Sequence, residues 1–299
     1  MLWVLAAVLG YFCWALVNVG DKVILNHRIK SPYVYLFLFS LTGLLGLFYL
    51  PFSHWTLPSL KMFLFLCCSS ALYTYGGLPY IKAMKIEEVT RINIWWNLIP
   101  VITFVGGWIL LGEKLFFGQL AALSILVLGA GLASIHFTRS SFFWSRAMIL
   151  MLIACFCYSA TILITRHVSQ TLPFKQMFVI NSILSGGFGF TFFLSRRFRE
   201  DWAAEKSGLN LKLGFQVFGL SVLDRLGTLF NFWALAIAPA AALVFALEGF
   251  QTVFILILAV GMSVFNSKLL KEELDQKNIL LKFIAVLLIA IGIGVLYLN

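Results

Sequence analysis

Three ionisable residues lie deep inside long apolar stretches of this sequence. Asp224 and Arg225 lie near the middle of the stretch 212–236, and Glu248 lies within the next stretch, 240–264. An ionisable side chain at the centre of a bilayer costs about 2.5–3.5 kcal/mol on insertion scales, so such residues usually recognise a solute or carry a proton. A buried ion pair that only holds helices together is the alternative, and the sequence leaves both interpretations open.

Polar and aromatic side chains on other apolar stretches could complete a cavity around these charges. Asn231 lies seven residues after Asp224, so both side chains fall on one face of a helix. Aromatic rings bind organic solutes and can hold a cation over their faces, although packing or anchoring at the membrane interface explains many single Trp and Tyr residues. The candidate substrate-binding or coupling residues are Asp224, Arg225, Glu248, Asn231, Asn97, Tyr73, Trp96, Tyr158, Asn18 and Trp14.

The composition predicts an integral membrane protein. Hydrophobic residues make up 61% of the chain, charged residues 11%, and the mean hydropathy is +0.96. A soluble domain carries about 25% charged residues. The formal net charge of +10 does not indicate nucleic-acid binding, because the basic residues form short clusters between apolar runs, where they set orientation and contact lipid headgroups.

Other kinds of chemistry find little support in the sequence. The cysteines fall inside apolar runs, the histidines are scattered near the ends of runs, and neither set has a metal-ligand spacing: Cys13, Cys67, Cys68, Cys155, Cys157, His27, His54, His136 and His167. There is no phosphate-binding glycine loop, no nucleophile elbow and no HExxH motif. We therefore expect no metal, no cofactor, no enzymatic activity and no direct hydrolysis of ATP.

Ten stretches are long enough to cross a bilayer, which takes roughly 20 apolar residues per helix. Their length and lack of alternation favour helices over barrel strands. The first is read as a retained span rather than a cleaved signal, and the polar stretch from Arg196 to Lys212 is read as a loop. The predicted spans are 1–20, 32–51, 60–82, 89–111, 116–137, 145–165, 175–195, 212–236, 240–264 and 278–298.

A weak internal sequence repeat, here called the echo, indicates that the chain contains two copies of one ancestral unit. Six residues of one segment recur 151 positions later: Ser70, Leu72, Gly76, Leu78, Ala83 and Ile86 return as Ser221, Leu223, Gly227, Leu229, Ala234 and Ile237. The run 12–15 (FCWA) likewise resembles the run 156–159 (FCYS). Five spans are an odd number, so a second unit must cross the membrane in the opposite sense. The sequence thus predicts an all-α membrane fold of ten transmembrane helices in two inverted five-helix repeats, 1–138 and 139–299, within one transmembrane domain.

The basic residues predict the orientation of the chain. Seventeen Lys and Arg residues fall in the odd-numbered loops, against four in the even-numbered loops, which are Lys61, Lys114, Arg166 and Lys175. The positive-inside rule then places the odd loops in the cytoplasm and both termini outside it.

Three motifs carry a resemblance to a known family. The run Ala83–Pro100, the turn Leu111–Leu115 (LGEKL) and the glycine-rich run Leu126–Leu132 resemble the EamA-type branch of the drug/metabolite transporter superfamily. The second half resembles the same pattern more weakly, with Gln251 where Pro100 would recur. The resemblance implies a ten-helix carrier with a central cavity, whose relatives move amino acids and other small metabolites. Many relatives are described with both ends in the cytoplasm, which the charges of this chain contradict.

The expected function is secondary transport of a small organic solute, such as an amino acid or another metabolite, across the cytoplasmic membrane by alternating access. A flippase for a lipid or lipid-linked sugar is the main alternative, since phenylalanine is abundant (30 residues) and the first half is poor in charge. A membrane-embedded transferase and a scaffold without transport activity are lesser alternatives. The expected partners are the solute, or a lipid-like substrate, and membrane lipids, with the chain acting as a monomer or a homodimer.

Overall fold

The computed structural model describes residues 2–49, 58–86, 92, 95–96, 98–134, 146–251, 253–255 and 257–258, together with seven positions between 284 and 295. Every regular element in these residues is helical, as the sequence predicts. A helix satisfies its backbone N–H and C=O groups internally, which hydrocarbon surroundings require.

The helices follow one another with short connections. They are α1 (Leu2–His27), α2 (Pro32–Ser40), α3 (Gly46–Tyr49), α4 (Leu60–Ile86), α5 (Leu98–Leu111), α6 (Phe117–Ser134), α7 (Arg146–Ser169), α8 (Phe174–Phe190), α9 (Arg196–Glu205), α10 (Leu211–Ile237) and α11 (Ala241–Ala246). Three 3₁₀ segments join some of them, at Leu41–Leu45, Thr191–Leu194 and Lys206–Gly208.

Five stretches are long and apolar enough to cross a membrane: Leu2–Leu25, Leu60–Ile86, Arg146–Ser169, Phe174–Leu194 and Leu211–Ile237. They coincide with the predicted first, third, sixth, seventh and eighth spans. Shorter apolar helices at Pro32–Phe48, Leu98–Leu111, Phe117–Gly129 and Leu243–Ile255 fall in the predicted second, fourth, fifth and ninth spans. Most of the tenth, 278–298, lies outside the described residues, so the total of ten stays a prediction.

Helices α1 and α10 form one of the two most extensive helix pairs in the described chain. Gly10 lies beside Asn231 and Gly20 lies beside Leu220, so the two helices run antiparallel. At their crossing, a Cβ atom on Gly227 would lie 2.8 Å from the Trp14 indole, which is closer than van der Waals contact allows. Glycine is therefore required at position 227 for this close approach.

Helices α4 and α7 form the other extensive pair, and they are also antiparallel. The Thr161 hydroxyl donates to the Ser69 carbonyl at 3.2 Å. Near the middle, a Cβ atom on Gly76 would lie 2.7 Å from the Cys157 Cβ. The two pairs, α1 with α10 and α4 with α7, enclose the cavity described below.

The first helix is longer than the sequence analysis predicts. The predicted span ends at residue 20, because a charged pair, Asp21 and Lys22, interrupts the apolar run. Helix α1 instead continues to His27, and the side chain of Asp21 is only 3% exposed. The interruption in hydropathy therefore marks a buried polar residue and not the end of the helix.

The interpretation of Arg196 to Lys212 as a loop is wrong in part, because this stretch contains the amphipathic helix α9. Phe198 and Trp202, four residues apart, lie on one face of α9 and pack against Phe37 of α2, with ring centroids 5.5 and 5.4 Å from it. The low hydropathy of α9 comes from charges on its other faces. An amphipathic helix of this kind is typical of a membrane surface.

Polar contacts fix α9 to the start of α2. The Ser31 hydroxyl donates to Asp201 Oδ2 at 2.7 Å, and the Ser31 N–H donates to Glu205 Oε1 at 2.7 Å. The same Ser31 hydroxyl caps α2 by accepting from the Val34 N–H at 3.4 Å. Both carboxylates therefore lie at the positive end of the α2 dipole, where negative charge is stabilised.

Ser31→Ala is expected to lower the free energy of unfolding by about 1 kcal/mol, since it removes a helix cap and leaves Asp201 without its donor. Thermal unfolding of the purified protein in detergent measures the change. Ser195→Ala is the matched control, because Ser195 precedes α9 without a side-chain capping bond. Equal losses in the two variants would contradict the role assigned to Ser31.

Candidate functional site

A cavity of about 170 Å³ lies between the two helix pairs. Helices α1, α2, α4, α7 and α10 contribute most of its lining, with smaller contributions from α5, α8 and the segment that begins with α11. A pocket enclosed by several helices, with a few polar groups in an apolar lining, is the usual form of a site for a small molecule.

Nine of the ten candidate residues from the sequence analysis line this cavity. They are Trp14, Asn18, Tyr73, Trp96, Tyr158, Asp224, Arg225, Asn231 and Glu248. The tenth, Asn97, lies outside the described residues. The structure thus brings residues from distant parts of the sequence to one place, while their role in binding stays a prediction.

Asp224 lines the cavity and is held there by a residue from the first half of the sequence. The Tyr73 hydroxyl donates to Asp224 Oδ2 at 2.6 Å. The Arg225 guanidinium lies 5.6 Å from the centre of the same Tyr73 ring. Asp224 and Arg225 therefore share one aromatic neighbour, and both face the cavity.

Several polar atoms on the cavity wall are buried and have no hydrogen-bond partner. These are Nε and Nη1 of Arg225, Nδ2 of Asn231 and Oε2 of Glu248. No ion pair joins Arg225 to Glu248 among the described residues. An unsatisfied buried polar group is costly, so these three donors and one acceptor need partners that a bound molecule can supply.

Aromatic rings form a continuous wall beside these groups. Tyr73 packs edge-on against Tyr158, which packs against Trp96, and Trp96 packs against Tyr80. The ring centroids are 5.1–5.7 Å apart along this series, as in favourable aromatic pairs. We call these four residues the aromatic wall.

One charged residue of the cavity, Asp21, was missed by the sequence analysis. Its carboxylate accepts a short hydrogen bond from the Tyr35 hydroxyl. Asn18, one turn earlier on α1, accepts from the Tyr80 hydroxyl at 2.9 Å. The signal in the sequence is the spacing of Trp14, Asn18 and Asp21, which puts all three on one face of a helix.

A hydrogen-bonded network joins several helices next to the end of the cavity that lies opposite Asp21. Arg166, near the end of α7, pairs with Glu113 at 2.8 Å, and it also donates to the carbonyls of Leu235 and Pro239. Glu113 in turn accepts from the Ala241 N–H at 3.2 Å. The network joins the turn after α5 to the ends of α7 and α10 and to the start of α11.

Comparison with solved structures identifies the fold. Twenty-eight chains of solved structures match this one. One of them, described only as the crystal structure of a protein, superposes with a TM-score of 0.67 over 99% of this chain and 95% of its own, at 14% sequence identity. At that identity the likeness establishes the fold alone. No curated protein matches the sequence.

Comparison with family profiles confirms the resemblance seen in the sequence. The profile of the EamA-like transporter family matches residues 1–135, which include the motifs between Ala83 and Leu132. Together with the apolar helices, this match makes the chain a multi-pass membrane protein. Residues 1–135 are thus similar to the EamA-like transporter family, which is part of the drug/metabolite transporter superfamily.

Proposed function

We propose that this protein is a secondary transporter that moves a small amino acid-like metabolite across the cytoplasmic membrane by alternating access between two inverted five-helix halves. The observation that carries the proposal is the set of unpartnered groups in the cavity. Arg225 and Asn231 offer donors, and Glu248 offers an acceptor. A molecule with a carboxylate and an ammonium group would satisfy both the donors and the acceptor. The guanidinium of Arg225 would bind its carboxylate, and the carboxylate of Glu248 would bind its ammonium group.

Contacts across the proposed halves support the repeat. Tyr73 and Asp224 are separated by 151 positions, the offset of the sequence echo, and they bond to each other. Two residues at equivalent positions of a two-fold repeat can contact each other directly only if both lie close to the two-fold axis. The cavity centre, where these side chains lie, is thus the expected position of the axis between the halves.

The helix packing follows the same relation. In the proposed repeat, α1 corresponds to α7 and α4 corresponds to α10. The two-fold relation between the halves therefore maps the pair of α1 and α10 onto the pair of α7 and α4. The two glycines of the echo contact corresponding helices, Gly227 against Trp14 of α1 and Gly76 against Cys157 of α7. The exchange of the two most extensive pairs supports two inverted units that meet around the cavity.

The network around Arg166 and Glu113 fits an alternating-access cycle. Under the proposed topology it lies on the extracytoplasmic side, and it joins Glu113 of the first half to Arg166 of the second. A contact between halves at one end of the bundle must break when the cavity opens at that end.

Uptake into proteoliposomes tests the function. Purified protein should accumulate one or more of the standard amino acids above the level in protein-free vesicles, without ATP. Glu248→Gln should reduce that uptake at least tenfold, because it removes the negative charge expected to bind the ammonium group. Asp201→Asn changes a carboxylate far from the cavity and should leave uptake unchanged.

Absence of uptake for every amino acid, combined with movement of a labelled phospholipid between leaflets, would favour the flippase instead. The cavity argues against a purely apolar substrate, because its described lining contains three carboxylates and a guanidinium: Asp21, Asp224, Glu248 and Arg225. A lipid chain offers these groups no partners.

A further inference from the structure

We propose that Asp21 selects the charge of the substrate, so that the transporter prefers basic amino acids, which carry a side-chain cation in addition to the α-amino and α-carboxylate groups. This inference rests on the proposed function, because it places the second cation relative to the α-groups at Arg225, Asn231 and Glu248. Asp21 belongs to neither the family motifs nor the candidate set derived from the sequence.

Asp21 and Glu248 lie at opposite ends of the cavity. Helix α11 and Glu248 lie near Tyr11, whose hydroxyl donates to the Val244 carbonyl at 3.0 Å. Asp21 lies ten residues further along α1. At the rise of an α-helix, the Cα atoms of Tyr11 and Asp21 are therefore about 15 Å apart. The antiparallel packing gives the same order, with Asn231 beside Gly10 at the Glu248 end.

Carboxyl groups outnumber basic groups in the described lining of the cavity. Its described lining holds Asp21, Asp224 and Glu248 but only one basic residue, Arg225. Asp224 is adjacent to Arg225, and these two offset each other electrostatically. A neutral amino acid would supply one cation, for Glu248, and would leave Asp21 without a positive partner.

The described groups that face Asp21 are tyrosine hydroxyls and a second carboxylate, and none of them is a cation. Its contact on α2 is the Tyr35 hydroxyl, and the titratable groups that face it from α4, α7 and α10 are Tyr80, Tyr158 and Asp224. Burial of a carboxylate at 3% exposure is expensive unless a cation compensates it. The side-chain ammonium or guanidinium of a substrate that reaches Asp21 would compensate its charge.

The space between the two ends suits an extended aliphatic chain. The aromatic wall lies along it, and Trp14 and Asn18 line it on α1 between Tyr11 and Asp21. Methylene groups pack well against ring faces, and a cation passing over them gains a further cation–π attraction.

Lysine and norleucine provide a matched test, since norleucine has the length of lysine without its terminal ammonium group. Isothermal titration calorimetry of the purified full-length protein should give an affinity for lysine about 10- to 100-fold higher than for norleucine, the ratio expected for a charge-assisted hydrogen bond in a buried site. In Asp21→Asn this ratio should fall close to one, and Asp21→Glu should restore part of it. Asp201→Asn, on the surface helix α9, should keep the ratio of the parent protein.

The outcomes separate this inference from the proposed function. Norleucine binding as tight as lysine binding would overturn the inference and leave the function standing. An equal loss for both ligands in Asp21→Asn would also overturn it, since Asp21 would then only position the helices. Failure of every standard amino acid to bind would overturn the proposed function, and the inference with it.

Discussion

Arg225→Gln is expected to reduce the affinity for norleucine about 10- to 100-fold. The guanidinium is buried, and its Nε and Nη1 have no partner in the protein, so a substrate carboxylate is expected to take both donors. Calorimetric titration of the parent and variant proteins measures the change.

Pentylamine, which is norleucine without its carboxylate, is the control ligand for this variant. The norleucine to pentylamine affinity ratio should fall in Arg225→Gln. Arg225→Lys keeps the charge but loses the planar pair of donors, so its ratio should lie between those of the parent and the glutamine variant. Equal losses for the two ligands would mean that Arg225 supports the cavity wall and does not bind a carboxylate.

Arg166→Gln is expected to lower the free energy of unfolding by about 3 kcal/mol, as found when one partner of a buried ion pair is removed. Arg166 and Glu113 are only 14% and 12% exposed, and the variant would leave the Glu113 carboxylate buried without its cation. The carbonyls of Leu235 and Pro239 would lose a donor as well. Chemical unfolding in detergent measures the loss.

The chain contains a matched control for this pair. Arg196 and Glu200 meet at the same 2.8 Å, but they are 87% and 63% exposed. Arg196→Gln should change stability by less than about 0.5 kcal/mol, because water screens an exposed pair. The double variant Glu113→Gln/Arg166→Gln should recover part of the loss. A loss in Arg166→Gln no larger than in Arg196→Gln would show that the buried network contributes little.

The sequence predicts the deep charges well, for a physical reason. Asp224, Arg225 and Glu248 interrupt long apolar runs, and hydrocarbon makes such interruptions expensive, so their presence in a cavity could be inferred without coordinates. The helix periodicity also placed Asn231 on the face of Asp224. Both residues line the cavity.

The sequence did not predict Asp21 as a cavity residue, because it lies near the end of an apolar run, where a charge usually marks the membrane surface. Only the position of Tyr35 on α2, whose hydroxyl bonds to the carboxylate, distinguishes a buried residue from an interfacial one. Glu113 and Arg166 also lie at the ends of runs, 53 residues apart, and their pairing depends on the order of helices in space. Helix α9 was missed because hydropathy averaged along its length hides one apolar face.

The bond between Tyr73 and Asp224 has a consequence for how such a protein can arise. A symmetric dimer of two identical single-unit chains would place the same side chain on both sides of this contact, either phenol against phenol or carboxylate against carboxylate. Joining the units in one gene allows the two positions to diverge. Under the proposed repeat, such divergence accounts for a phenol donor opposite a carboxylate acceptor, an asymmetric contact that two identical subunits could not form at these positions.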